Sequence, residues 1–517
     1  MGGLRSDRCL ARPRAACAGR GAGRIDGAAS PAGGSHGRHG AAGLSDPVYI
    51  AIDQGAHATR ATAYSARGNH EGAALVTVAT QHNALGHVEH DAEELVASVS
   101  TALAELARLV PAERWAAAGF AVQRSSLACW DARDGRPLAP VISWQDRRNA
   151  AWLKGLARKA DEVHRLTGLP LSPHYGASKL RWCLDHLPEV RAAAAQSSLR
   201  AGPLASYLLH RLLVERPVLA DAANAARTLL WSPFERNWSD ELLELFGIPR
   251  AMLPRAVGTS ARFGTLAAIG GAVPVIVCNG DQSVVPFAAG PLDTHAAYVN
   301  LGTGAFVLRP AATALRAAPL MTSVIRADNT HFDFVLEGSV NGAGAALSWF
   351  ERHQGAAADR MLALLDAAPL ADDGAPFFLN GVAGLASPFW NPDFESRFVG
   401  EGSELQQCRS VVESVAFLIK ANLDEMDRHL KSPVRLIASG GLAENRMLCR
   451  MLACLAGVPV DRASDHEATS RGLAFLVAGT PAGFEVPAMQ RLEPEPDRRL
   501  LARYLKWIEL MRTATRA

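Results

Sequence analysis

Val273-Pro-Val-Ile-Val-Cys-Asn-Gly-Asp-Gln282 is a short β-branched apolar run that ends abruptly in Gly280, Asp281 and Gln282. A buried parallel strand reads this way, and it delivers an acidic residue to the carboxyl edge of an α/β sheet, where ligands bind. Far upstream, Tyr49-Ile-Ala-Ile-Asp-Gln-Gly55 has the same grammar and brings Asp53 to such an edge. Two carboxylates delivered in this manner suit phosphoryl transfer, one as metal ligand and one as proton acceptor.

Outward from these two stretches, the pattern predicts strands at 48–54, 60–65 and 74–80. A helix follows near 91–109, with Leu95, Val99, Leu103 and Leu106 on one face, and then a strand at 116–123. A helix at 191–213 and the segment Arg227–Trp231 complete a first domain, taken as 46–291. The second domain, 292–495, repeats the grammar. It has a strand pair in Ala296–Leu308 around Gly302-Thr303-Gly304, a strand at Phe332–Leu336, and helices at 342–350 and 408–430. The strand Val434–Ser439 ends in Gly440-Gly441, and a helix over 443–456 follows. A C-terminal helix occupies 496–517, with Leu500, Tyr504 and Ile508 at helical spacing. The expected fold class is α/β, two similar halves with a cleft between them, the kind of place where small-molecule sites form.

A chain of 517 residues exceeds one core, so two domains are the natural division. Its 49% hydrophobic and 20% charged composition is that of an ordinary soluble protein, and a net charge of +2 gives no case for nucleic acid or membrane. Seven of the arginines fall in residues 1–45, a stretch of Ala, Gly, Arg, Ser and Pro that cannot form a core. It reads as a disordered tail or a mis-assigned start, with an Arg-rich transit peptide as the third reading. No apolar run is long enough to span a bilayer. The eight cysteines form no CxxC pair and read as buried, reduced thiols of a cytoplasmic protein.

Three glycine turns carry the remaining chemistry. Asp53-Gln54-Gly55 offers a carboxylate for hydrated Mg²⁺ and a glycine for close approach of a phosphate. Gly302-Thr303-Gly304 offers backbone N–H groups and one hydroxyl. Gly440-Gly441 with Asn445 suits a nucleotide base. Each taken singly reads equally as a plain turn.

Together with Gly86-His-Val-Glu-His-Asp91, Gln123-Arg124, Trp144-Gln-Asp-Arg-Arg148, Leu336-Glu-Gly338, Ser387-Pro-Phe-Trp390 and Glu467-Ala-Thr469, these blocks resemble the FGGY carbohydrate kinases, the glycerol kinases above all. The resemblance runs from Val48 to about Gly479. It implies two ribonuclease-H-like domains of the actin/hexokinase/Hsp70 superfold, with ATP and Mg²⁺ as cofactors and a small polyol or sugar as acceptor. By the same resemblance Asp281 is the general base and Asp53 the metal ligand. Arg124, Ser125, His174, Asp281 and Gln282 fall at acceptor-binding positions. Gly55, Thr59, Gly302, Thr303, Gly304, Gly344, Ser348, Gly441 and Asn445 fall on the nucleotide side. Family members are frequently dimers or tetramers, so a homo-oligomer stays open, with no interface legible here.

The departures bear on activity. The family's hydroxyl residues after Asp-Gln-Gly are here Ala56-His57, leaving Thr59 or a protonated His57 as substitutes. A glutamate expected after Gln-Arg is Ser125. An expected tyrosine aligns with His174, with Tyr175 adjacent. Ser348 stands for a glutamine. The Ser125 and His174 changes favour a different or larger polyol or sugar over glycerol, with a pentulose or tetritol kinase as the alternative, while Ala56-His57 bears on turnover. A nucleotide- or sugar-binding regulatory protein with impaired turnover is the rival from another class. Arg147 and Arg148 read as a solvated helix start, and Trp144 as a residue that shapes the acceptor pocket.

Overall fold

A computed structural model describes residues 46–267, 272–355, 358–463 and 467–516. Expectations for residues 1–45, including Cys9 and Cys17, lie outside the described residues.

Two sheets built on one plan dominate residues 46–516. The first runs, in spatial order, Ser260–Thr265, Pro274–Gly280, Trp115–Val122, Val48–Gln54, Ala58–Ser65 and His70–Thr77. Val48–Gln54 pairs antiparallel with Ala58–Ser65, which pairs antiparallel with His70–Thr77. On its other side it lies parallel to Trp115–Val122, which in turn lies parallel to Pro274–Gly280. The second sheet runs Met321–Ala327, Phe332–Val340, Ala305–Ala311, Ala296–Leu301, Arg435–Ser439, Val460–Ala463 and Met489–Leu492. Ala296–Leu301 plays the part of Val48–Gln54, with antiparallel strands on one side and two parallel strands on the other. The fold is therefore a pair of ribonuclease-H-like units. Parallel strands need crossover connections, and both sheets send their parallel carboxyl ends into Gly-containing turns.

The inner strands, such as Trp115–Val122, Ala296–Leu301 and Arg435–Ser439, are almost wholly buried, as expected where helices cover each side. Leu95, Val99, Leu103 and Leu106 of the helix Ala92–Leu109 are all 0% exposed and pack into the first core. Its N-cap is Asp91, whose carboxylate accepts from the N–H groups of Glu93 and Glu94. The aspartate of the Gly86–Asp91 block thus starts a helix. A separate core joins the halves: Ala51, Ala121 and Val277 of the first sheet meet Tyr298, Val335 and Ile437 of the second around the helix Ala468–Val477. That helix approaches so closely that a Cβ on Gly472 would lie 2.1 Å from the Val284 carbonyl. At the C-terminus, the helix Arg498–Arg516 docks through a buried pair, Arg503 Nη2 to Glu413 Oε2 at 2.6 Å, and through Trp507 Nε1 donating to the Phe378 carbonyl at 2.9 Å.

Two expectations are corrected. The single helix predicted at 191–213 is a helix, a strand and a helix, Pro188–Ala195, Leu199–Pro203 and Leu204–Leu212. Ser197 takes a left-handed backbone (φ 59) that ends the first helix, and Leu199–Pro203 pairs with Leu127–Asp131 in a five-stranded sheet. Arg148 is not solvated. It is 8% exposed and bonds both Asp146 and Glu89, with its guanidinium over the Trp182 ring. The six described cysteines are free and buried, as expected.

Candidate active site

Register puts Asp53 opposite Ala121, and Ala121 opposite Asn279, so the carboxyl ends of three neighbouring strands stop at one level. There the chain delivers Asp53, Gln123-Arg124 and Asp281 to the cleft side of the first sheet. Gly280 is tight against Arg124, since a Cβ there would stand 2.6 Å from Arg124 Cγ. Asp281 opens the short helix Asp281–Val284, and its Oδ1 accepts from the Gln282 N–H at 2.7 Å. Burial raises the Asp281 pKa, while Arg124, whose Nε lies 3.8 Å from Oδ1, pulls the other way. Burial also raises Asp53, and the neighbouring carboxylates of Asp281 and Glu467 add to it; the result is about 7, against the pull of Arg60. Arg60, opposite Asp53 in register, pairs with Glu467 from the second half.

Arg124 is fixed by Glu337 of the second sheet, which accepts from its Nη1 and Nη2, each at 3.0 Å. Glu337 also accepts from Ser323 Oγ at 2.7 Å and from Arg227 Nη2. It is 1% exposed. Burial opposes its charge, but the two guanidinium groups outweigh this and hold it down at about 2. Glu337 and Arg227 were missed as site residues in the sequence, although both sit in segments noted there. A glutamate inside a strand that ends in Gly-Ser-Val is the signal, because an unpaired buried carboxylate is untenable.

Around this ion cluster stand Ser125, His174 and Tyr175. Ser125 has a left-handed backbone (φ 67), and its hydroxyl is buried without a partner in the described structure. The His174 ring meets Trp144 and Tyr175 edge-on, with centroids 5.7 and 5.0 Å apart. Burial, then the charges of Lys179, Arg227 and Arg124, keep His174 neutral. Tyr175 is 2% exposed, and its hydroxyl donates to Met321 Sδ at 3.3 Å. Gln282 Oε1 accepts from Asn300 Nδ2 at 2.7 Å and so joins the two sheets.

On the second sheet, Gly302 N–H donates to the Gly304 carbonyl at 2.9 Å and closes the turn that leaves Thr303 exposed. The turn packs against the start of the helix Gly344–Gln354: Gly344 N–H reaches the Gly302 carbonyl at 3.0 Å, and Ala345 N–H the Thr303 carbonyl at 2.9 Å. Only glycine fits at 344, where a Cβ would lie 2.8 Å from the Gly302 oxygen. Ser348 is exposed one turn along. Gly440 has φ +87 and would carry a Cβ 2.5 Å from the Leu301 carbonyl, whereas Gly441 faces open space. Asn445 caps the helix Arg446–Ala456, its Oδ1 accepting from the Leu448 N–H at 2.7 Å, which leaves its amide nitrogen for a ligand.

In the first glycine turn, Gly55 N–H donates to the Ala58 carbonyl at 2.9 Å, with His57 exposed at the tip. Thr59 is a correction: it is 0% exposed, and its hydroxyl is bonded to Ser98 Oγ at 2.7 Å inside the core. Alternation along Ala58–Ser65 turns it toward the helix Ala92–Leu109, so it cannot replace the absent loop hydroxyls. Thr80 is nearer, donating to the Ala56 carbonyl at 2.8 Å with His57 Nδ1 at 3.5 Å.

Residues 48–288 match the family model for the N-terminal domain of the FGGY family of carbohydrate kinases, and residues 297–479 match that for its C-terminal domain. The chain is 34% identical over 454 residues to the glycerol kinase of Dechloromonas aromatica, covering 85% of this chain and 90% of the relative. Against that of Trichlorobacter lovleyi the identity is 36% over 452 residues, covering 84% and 90%. The fold matches the crystal structure of Plasmodium falciparum glycerol kinase with ADP at a TM-score of 0.83 and 19% identity, covering 91% of this chain and 98% of that one. It matches a ligand-bound xylulose kinase from Lactobacillus acidophilus at a TM-score of 0.79 and 20% identity, covering 90% and 97%.

Proposed function

The chain belongs to the FGGY family of carbohydrate kinases, and from that premise we propose that its cleft transfers the γ-phosphoryl group of ATP to a hydroxyl of a small polyol or sugar, with Asp281 as general base. The observation that carries this reading is the convergence of Asp281, Arg124 and Asp53 at one sheet edge, tied through Gln282 and Asn300 to the strand that leads into the Gly302–Gly304 turn. An acceptor hydroxyl is a poor nucleophile until its proton has somewhere to go, and the Asp281 carboxylate receives it as the new O–P bond forms. Arg124, held by Glu337, and Ser125, His174 and Gln282 bind the acceptor. Gly55, Gly302, Thr303, Gly304 and Gly344 cradle phosphate, while Ser348, Gly441 and Asn445 take the nucleoside end. The two functional domains are 46–291 and 292–495, followed by the C-terminal helix. Among the described residues no helix is long and apolar enough to cross a membrane, and the setting proposed is cytoplasmic.

Among the described residues no three His, Cys, Asp or Glu side chains form a metal cage. Mg²⁺ needs less, since one or two carboxylates suffice beside water and phosphate. Asp53 fits that demand once ionised, because the negative charge of Asp281 and Glu467 that raises its pKa also favours a bound cation. The cation, when bound, neutralises charge on the transferred group. Because Asp53 must be ionised to hold it, apparent Mg²⁺ affinity weakens as pH falls below about 7. Mg²⁺ titrations of ATP turnover at stepped pH check this, and a pH-independent Mg²⁺ requirement removes Asp53 from the metal site.

The direct test is ADP formation from Mg·ATP by the full-length protein with glycerol, erythritol, ribitol, xylulose or ribulose, or with no acceptor. An acceptor-dependent signal supports the reading and identifies the substrate, while ATP binding without one favours a binding protein. The Ala56-His57 loop has an expected cost. Replacing both residues by Thr raises kcat about tenfold, less than the ~10²–10³ that one lost donor typically costs, because the backbone of the turn is already in place. An unchanged kcat assigns the donor role to the backbone N–H groups and His57.

A further inference from the structure

Lys179, on the helix Gly176–His186, is 0% exposed. Its Nζ donates to the carbonyls of His174 at 2.7 Å, Ser143 at 2.8 Å and Ser125 at 3.1 Å. Burial draws its pKa down to about 7, yet three converging carbonyl oxygens suit the ammonium, which has three N–H donors and no acceptor.

These carbonyls belong to three segments distant in sequence, and each carries a side chain of the acceptor pocket. One is Arg124-Ser125, where Ser125 holds its left-handed backbone (φ 67). A non-glycine residue keeps such a conformation only when its surroundings impose it, and the bond to Lys179 is part of that constraint. The second is Ser143-Trp144, whose Trp144 N–H also donates to Ser126 Oγ at 3.0 Å. The third is His174-Tyr175, with the His174 ring edge-on to Trp144. The nucleotide-side turns at 302–304 and 440–441 belong to the other sheet.

Resting on the kinase reading, we propose that Lys179 is a positioning residue for acceptor recognition: one buried ammonium locks the Arg124-Ser125, Ser143-Trp144 and His174-Tyr175 segments into a single pocket wall. A lysine that merely supports the fold would impair acceptor and nucleotide alike, whereas this one governs the acceptor side.

The test compares wild-type full-length protein with Lys179→Met and Lys179→Gln, measuring KM for the acceptor and KM for ATP. In the Met variant the acceptor KM rises about tenfold or more, as expected for loss of charge-assisted hydrogen bonds. In the Gln variant, which keeps two N–H donors, the rise is smaller. The ATP KM stays within about twofold in both, because the nucleotide turns lie outside the Lys179 bonds. Parallel changes in both KM values, or no change in either, overturn the proposal. If the Met variant is insoluble, the Gln variant decides alone, an acceptor-selective rise supporting the assignment and a uniform one defeating it. Failure of the kinase reading looks different: wild-type protein then forms no acceptor-dependent ADP, and this inference falls with it.

Discussion

Asp281→Asn lowers acceptor-dependent ADP formation by about 10²–10⁴-fold, the usual contribution of a positioned general base. Asn fills the same space at the head of Asp281–Val284 and can still accept from the Gln282 N–H, so the loss isolates proton transfer from shape. ATP affinity, measured calorimetrically, stays unchanged, since the nucleotide turns lie on the second sheet. A kcat within tenfold of wild type would instead assign the proton to another acceptor. The pH profile carries a second signature. The base works only when ionised, and burial raises its pKa above the ordinary 3.8. Activity is therefore present above the raised value and lost as pH falls through it, at a higher pH than an exposed carboxylate would give. Arg124 opposes that rise from 3.8 Å away, so Arg124→Met moves the acid limb further upward while weakening acceptor binding.

Much of this site was legible because parallel strands announce themselves. Val48–Gln54 and Pro274–Gly280 lie within a residue or two of their predicted spans, and each ends one residue from the acidic residue that the run points to. The glycines were legible for the same reason: Gly344 and Gly440 tolerate no Cβ against facing carbonyls. What escaped were long-range pairings. The Ala-rich flanks of Leu199–Pro203 favour helix locally, and only its partner Leu127–Asp131 makes it a strand. Thr59 looked available from its distance to Gly55, but strand alternation, which reverses at every residue, turned it inward. Arg148 looked solvated beside Arg147, yet its partners Asp146 and Glu89 come from a loop and a strand that the five-stranded sheet brings together. The buried cations Arg227 and Lys179 are invisible for the same reason, since nothing local says where their acceptors are.

Glu337→Leu destabilises the protein by about 3–5 kcal/mol, the usual cost of removing one partner from a buried ion pair. The carboxylate lies between two guanidinium groups, Arg124 and Arg227, and is 1% exposed, so Leu leaves two cations facing each other without a counter-charge. The sign follows from linkage: a carboxylate with a lowered folded-state pKa stabilises the fold above pH 4.5, and that contribution is lost as pH falls toward 2. Glu337→Gln keeps the shape and one acceptor oxygen, so its deficit relative to wild type is large at neutral pH and shrinks on acidification. Urea titrations of the three proteins at stepped pH measure this, and a deficit that does not change with pH would show that packing dominates over charge. Function follows from the same geometry. With Glu337 gone, the Arg124 fork loses the carboxylate that accepts from both its Nη atoms, its Nε drifts from Asp281, and the acceptor KM rises with the loss of stability. A variant that lost stability but kept its acceptor KM would separate the clamp between the two halves from the chemistry at the sheet edge.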